Sequence, residues 1–521
     1  MSIKVFFLDL SGMKKSVLAK IDVILPILIF IFTFIIYIKF LAPSVFQGDP
    51  AEYCLASYTL GIPHPNGYPI YTWIGHIFTF LPVGTVAYRI NLMSAFFGAL
   101  TVPLIYIIVF KLAIWNKNHN NSNESKQNSF FNIYRFIAVI AVFSLASSRT
   151  FWSASEFAEV YTFNAFFVAL MILVLLIWSE KRNNKFLYGF FLIYGLSIGA
   201  HASNILFLPA FLVYIALNNY KVLTVKNSSF FILLFIVGIS QFLYILIRAS
   251  QYPDYSYISP GFNEWWFLIT AKQYSYHLVF SISQIPQRIL MYLNFLGENF
   301  LVLGSFFGII GITELFRKNI KVFALLILTF ISNALFYINY YVFDVEVMFI
   351  PSFLVFSIFI GIGIIAVFEF IKSEADNFKE IINKNMNLDL FSISIIIFLI
   401  ISILMPASFY LANQDDIKQV NDDNFAYYAS TSLKEIPSNS TIITYWRSGM
   451  VFKYFQIAEN INPKVKIIII DEIDLLNTAN QNRGNENLFV ADDIDTIYPY
   501  YNVTPFLEVP DAGTLYKINF I

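Results

Sequence analysis

The sequence predicts a mainly α, polytopic membrane protein of about eleven transmembrane helices, closed by a small C-terminal extracytoplasmic α/β domain. Three observations carry this reading. Hydrophobic residues make up 58% of the 521-residue chain and charged residues 13%, whereas soluble domains run near ~45–50% and ~25%; the mean hydropathy is +0.65. So few charges cannot cover a water-facing surface, and lipid must be the solvent for most of the chain. Apolar runs of spanning length recur up to about residue 410, and from residue 412 the sequence turns polar without another such run. A net charge of −1 excludes nucleic acid as a partner. The single cysteine, Cys54, excludes an internal disulfide and a cysteine-based zinc cluster.

In chain order the runs lie near 22–42, 90–113, 133–148, 161–178, 186–200, 203–217, 229–247, 299–316, 322–338, 347–369 and 390–410. The first follows Lys14, Lys15 and Lys20 as a signal peptide would. Its length and the absence of a small-x-small site at Leu41-Ala42-Pro43 make it an uncleaved span. His201 and Asn204 interrupt one long apolar stretch, which therefore reads as two helices meeting at the membrane surface. Lysine and arginine crowd alternate loops, from Lys111, Lys117, Lys126 and Arg135 to Arg317, Lys318 and Lys321. The opposite loops hold about a third as many, so the N-terminus is expected in the cytoplasm and the C-terminal domain outside a plasma membrane. Residues 1–411 then form the membrane domain and 412–521 the external one. There, Thr441–Thr444, Val465–Ile470, Leu488–Ala491 and Thr514–Asn519 read as strands, with a helix over about 449–460.

Polar groups are costly near lipid, and here they collect in the external loops. The first loop contains Gly48-Asp49-Pro50-Ala51-Glu52 and then Leu60-Gly61-Ile62-Pro63-His64-Pro65-Asn66-Gly67-Tyr68-Pro69. If Pro50 opens a helix, Asp49 and Glu52 share a face, and Asp49 serves either as its N-cap or as a functional carboxylate. Glu156 and Glu159 repeat the spacing before the fourth span, as first-turn acids or as site groups. His201 taken alone reads as a packing histidine. Loop 248–298 carries Arg248, Lys272, His277 and Arg288 among aromatic residues, a composition that suits interfacial anchoring or a polyprenyl phosphate. Asp344 and Glu346 join the ninth and tenth spans. There is no P-loop, dinucleotide glycine pattern, H-E-x-x-H or Ser-His-Asp signature.

The ordered set formed by the Asp49 and His64 motifs, Arg89-Ile90-Asn91-Leu92, Phe151-Trp152, Ala158-Glu159-Val160-Tyr161-Thr162 and Gly195 through His201 resembles the protein O-mannosyltransferase-like membrane family of the GT-C glycosyltransferase superfamily. The tail from Ile436-Pro437 to Tyr454-Phe455-Gln456 is similar to that family's external domain, departing from it at Trp446-Arg447-Ser448-Gly449. The resemblance implies a GT-C-like fold and an inverting transfer of mannose or another hexose from a polyprenyl-phosphate donor to a protein or glycan hydroxyl. Asp49 matches the family's catalytic aspartate, with Glu52 beside it. His64, Asn66, Tyr68, Glu156, Glu159, His201 and Asp344 are then expected around the substrates, and Arg248 and Arg288 at the lipid phosphate. No cofactor is required, and a divalent cation is left open. The competing readings are a transporter coupled through Glu156, His201 and Asp344, and a non-catalytic receptor for a lipid-linked glycan.

Overall fold

A computed structural model describes residues 17–115, 124–278 and 281–382, isolated positions between 400 and 411, and residues 423–519 apart from 471–473 and 492–496. The expected spans fall on helices: α1 Val17–Lys39, α4 Val86–Ile114, α5 Glu124–Ala146, α7 Val160–Lys181, α8 Lys185–Ala200, α9 Leu208–Asn219, α10 Val225–Ile239 continued by α11 Leu243–Ala249, α13 Ile285–Lys318, α14 Ile320–Ile338 and α16 Ile350–Ile382. The eleventh expected run, 390–410, lies largely outside the described residues, as does the proposed boundary at 412. Between α8 and α9 the chain turns at His201 through a 3-10 turn, Ala202–Phe207, which splits the long apolar stretch as anticipated. The helix α13 begins well before the expected residue 299, and Leu301 interrupts it with φ 52°.

The segments between spans are more ordered than loops. Two short helices, α2 Asp49–Thr59 and α3 Pro69–Phe78, flank the proline-stiffened turn, and α6 Arg149–Ser153 precedes α7. Later come α12 Phe262–Ile269 and α15 Val345–Met348. They lie together at one end of the bundle, where Asn91 on α4 ties the first connecting segment to the one that precedes α7. Its amide donates to the carbonyls of Ala42 (2.9 Å) and Ser44 (3.0 Å), and its oxygen accepts from the Ala158 N–H.

The C-terminal unit starts with α17 Asn424–Glu435 and contains β1 Thr441–Tyr445, α18 Trp446–Ile457, β2 Lys466–Ile470, α19 Leu475–Gln481, β3 Leu488–Ala491, β4 Asn502–Val509 and β5 Gly513–Asn519. The sheet order is β2-β1-β3-β5-β4, parallel among the first three strands and antiparallel at β5 and β4. The strand β4 is absent from the sequence reading because Pro505 breaks its pattern; proline is tolerated on this edge. Helix α18 lies on α2. It also meets the start of α4, where the Ala87 N–H donates to the Tyr454 hydroxyl at 2.9 Å and that hydroxyl donates to Glu459 at 2.7 Å. The parallel strands therefore turn their carboxyl ends toward the first loop, the end of an α/β sheet where ligands bind.

Candidate active site

Helix α2 sets the site. Pro50 fits its first turn because its missing N–H is not needed there. The N-cap is Gly48, not Asp49, which corrects the expectation that Asp49 caps the helix. Gly48 adopts φ +78°, a conformation glycine takes without a Cβ penalty, and a Cβ there would stand 3.5 Å from the Trp446 ring. Its N–H donates to the Arg447 carbonyl at 3.2 Å, so the C-terminal unit holds the start of α2. Asp49 keeps a side chain 32% exposed, facing the cavity described below.

One turn on, Glu52 is fully buried. It accepts from the His64 backbone N–H at 3.0 Å, from His64 Nδ1, and from the Tyr255 hydroxyl. Both of its oxygens are thereby engaged, and it does not border the cavity. The structure thus corrects the catalytic expectation for Glu52: this carboxylate holds His64. The other ring nitrogen, Nε2, lies 3.8 Å from the Asp49 carboxylate and 3.3 Å from the Tyr53 hydroxyl. Burial alone would lower the His64 pKa, but the Glu52 and Asp49 carboxylates outweigh it and hold the ring at about 9. His64 is therefore an imidazolium at neutral pH, donating from both nitrogens. Burial pushes Asp49 up to about 6 even though His64 pulls it down.

Ligand atoms of Asp49, Glu52 and His64 lie within 4.8 Å of one another, close enough to consider a divalent cation. To bind all three groups, an ion would have to break the Glu52–His64 and Glu52–Tyr255 hydrogen bonds. The donor set fits an internal ion pair better than a metal centre.

The cavity, of about 870 Å³, is bordered by Asp49, His64, Asn66, Tyr68, His201 and Asp344, so six of the expected residues converge. Asn66 is anchored by its amide on the Ile198 carbonyl (3.1 Å). His201, lowered to about 4 by burial and by His64, is a neutral ring hydrogen-bonded to Ser203 at 2.8 Å. Part of the lining is apolar, with Ile205, Leu206, Phe336, Tyr337 and Met348; another part is Trp446, Ile469, Ile470 and Asp474 of the C-terminal unit.

The other expected residues do not border this space. Glu156 is buried, its carboxyl raised to about 9 by desolvation, and its backbone carbonyl accepts from Ala42. Glu159, 8% exposed, lies behind Asp49, with burial and the Asp49 and Asp344 charges holding its carboxyl well above the usual range. These two are therefore not solvated first-turn acids; desolvation keeps them neutral. Arg248 donates to the Leu60 and Thr59 carbonyls (2.8 and 2.9 Å). Arg288 donates to the Ile338 and Tyr340 carbonyls (2.8 and 2.5 Å) and stacks 4.1 Å over Tyr341. Both arginines brace loops, which corrects their assignment to the lipid phosphate. Among the described residues bordering the cavity, the one lysine or arginine is Lys272. Sequence reasoning missed Tyr255, which carries no motif, and gave no role to Trp446, whose ring stands edge-on to His64 at 6.1 Å and 87°.

Residues 49–224 match the family model described as the Protein O-mannosyl-transferase TMEM260 N-terminal domain. Over 516 residues, 88% of this chain, it is 23% identical to "Protein O-mannosyl-transferase tmem260" of Dictyostelium discoideum. Over 139 residues, 26% of this chain, it is 33% identical to the Mus musculus protein of that name. The matches span 58% and 17% of those relatives, so the chain covers at most a little over half their length. Among solved structures, ArnT from Cupriavidus metallidurans bound to undecaprenyl phosphate superposes with TM-score 0.60 at 10% identity, over 95% of this chain and 97% of that one. The oligosaccharyltransferase AglB from Archaeoglobus fulgidus, in complex with an inhibitory peptide and a dolichol-phosphate, gives 0.52 at 11%, over 91% and 70%. The resemblance read from the Asp49 and His64 motifs is thus shown, and the fold is GT-C-like. With its apolar helices, the chain is an integral membrane protein.

Proposed function

We propose that this chain is the catalytic membrane part of a glycosyltransferase that moves mannose or another hexose from a polyprenyl phosphate to a polypeptide hydroxyl. In this reading Asp49 Oδ takes the proton of the acceptor hydroxyl as that oxygen attacks the anomeric carbon. The bond from this carbon to the phosphate oxygen breaks on the opposite face, inverting the configuration, and the lipid phosphate leaves with the bonding pair. The observation that carries the reading is the Asp49 carboxylate, bordering the cavity and raised to about 6 by burial. A base near the working pH is the effective one.

The imidazolium of His64, fixed by Glu52, holds Asp49 in place electrostatically. Lys272 is the cation available to the departing phosphate. The apolar wall at Ile205 and Phe336 suits a prenyl chain entering from lipid. The superposed ArnT structure is bound to undecaprenyl phosphate and the AglB structure to an inhibitory peptide and a dolichol-phosphate, which supports the same pairing of substrates. A transporter would couple through Glu156, His201 and Asp344, yet Glu156 lies outside the cavity the other two border. The site faces the extracytoplasmic side of the plasma membrane in the orientation set by the lysine and arginine bias.

The test incubates the purified chain with radiolabelled polyprenyl-phosphate mannose and a panel of threonine peptides and glycans. Label transferred to a peptide by the wild type and not by Asp49→Asn supports the reading. Donor binding without transfer to any acceptor would leave a lipid-linked glycan receptor instead.

A further inference from the structure

Among the described residues, β2 is an edge strand of the sheet. It pairs with β1 on one side, and its main neighbours among the described residues are β1 and α18. The Lys466 N–H donates to the Ser440 carbonyl, so in this parallel register Lys466, Ile468 and Ile470 direct their backbone groups to β1. Ile467 and Ile469 then direct theirs outward. The strand reads Lys-Ile-Ile-Ile-Ile, all four isoleucines partly exposed, and after Lys466 at its start it carries no proline or charge to blunt the edge. Its carboxyl end opens into the cavity that Asp49 borders, where Ile469, Ile470 and Asp474 form part of the wall. The part of the lining contributed by the bundle is apolar and includes Ile205, 47% exposed on the bundle surface. A lipid donor using that side leaves the β2 side for the second substrate.

We infer that the outer edge of β2 is the acceptor dock: an extended polypeptide adds to it as a further strand and carries its Ser or Thr hydroxyl into the cavity. Main-chain pairing gives affinity with little dependence on sequence, as strand addition does elsewhere. Selectivity falls to the side chains that meet Ile469, Ile470 and Trp446. The inference rests on the polypeptide-acceptor reading above, and binding can be measured without turnover.

The probe is a fluorescein-labelled, threonine-centred peptide of about ten residues, titrated by polarisation against the detergent-purified full chain without donor. A series N-methylated at one amide at a time follows. Strand addition expects a period-two pattern, with alternate amides losing roughly three- to tenfold in affinity and those between unaffected. Ile467→Pro removes one outward N–H while leaving the β1 ladder intact, and should raise the peptide Kd and KM about tenfold with the donor KM unmoved. Ile467→Ala loses the same packing and keeps the N–H, and should stay near wild type. A flat N-methyl scan, or equal losses for Pro and Ala, overturns the dock. Should Ile467→Pro fail to fold, the scan on the wild type decides alone. Peptide binding with the period-two pattern but no transfer would uphold the dock and reject the transferase reading.

Discussion

The Nε2 atom of His64 lies 3.8 Å from the Asp49 carboxylate while Nδ1 of the same ring is bonded to Glu52. One imidazolium therefore bridges a buried acid and a cavity-facing acid. The buried acid accepts from Tyr255 and the His64 backbone as well, so its lone pairs are occupied within the protein. The exposed acid keeps its lone pairs for a substrate. Two carboxylates one helical turn apart have been given different work by their surroundings alone.

Asp49→Asn should lower transfer by at least two orders of magnitude, the typical contribution of a positioned base. Because Gly48 is the cap, the substitution removes no capping bond, and the melting temperature in detergent should change little. Near-normal turnover would reject Asp49 as base.

Glu52→Gln should act through His64. The amide cannot supply the charge that holds the ring at its raised pKa, and one donor to the buried site loses a partner, at a cost of about 1–3 kcal/mol. Thermal unfolding should shift down together with kcat. Tyr255→Phe removes one hydrogen bond to the same carboxylate and should produce a smaller shift in the same direction. A stable Glu52→Gln protein with normal kcat would separate His64 from the chemistry.

Activity should rise with pH through about 6 as Asp49 loses its proton, with a wild-type inflection that Asp49→Asn lacks. Stability has a different window. His64 is raised to about 9 from 6.5, so its contribution is complete below pH 6.5 and is lost as pH climbs toward 9. Asp49 is raised from 3.8, so ionising it costs stability between 3.8 and about 6. Calorimetry across pH 4–10 should therefore show two falls in melting temperature, one between pH 4 and about 6 that Asp49→Asn flattens and one between 6.5 and about 9 that His64→Gln flattens.

Lys272→Met should raise the donor KM about tenfold with the acceptor KM little changed, since a phosphate loses its charged partner. Arg288→Met should instead lower stability, because its guanidinium braces the Ile338 and Tyr340 carbonyls. An unchanged donor KM in Lys272→Met would move the phosphate elsewhere in the cavity.

Orientation is checked by labelling. Cys54 is buried in α2, so Ser438→Cys in a Cys54→Ser background places one exposed thiol on the C-terminal unit. An impermeant maleimide should reach it in intact cells and should not reach Asn121→Cys. The reverse pattern would invert the topology.

What the sequence determined alone is the solvent and the plan. Hydropathy and run length are properties of consecutive residues, so the spanning helices up to Ile350–Ile382 and the strands Thr441–Tyr445 and Lys466–Ile470 were legible in order, whereas the short helices between spans were not. The Asp49 and His64 motifs were legible because proline and glycine fix local backbone. Tertiary structure decided which polar groups meet. Arg248 and Arg288 are as cationic as Lys272 in sequence, and folding turned both toward backbone carbonyls. Glu156 and Asp49 are both acids after a span, and packing buried one and left the other facing the cavity. Tyr255 and Trp446 come from segments some 200 and 400 residues beyond Glu52 and Gly48. Trp446 meets the first loop through the seat of α18 on α2, and Tyr255 through the pairing of its own segment with Ile62; long-range packing of this kind leaves no periodic trace in the chain.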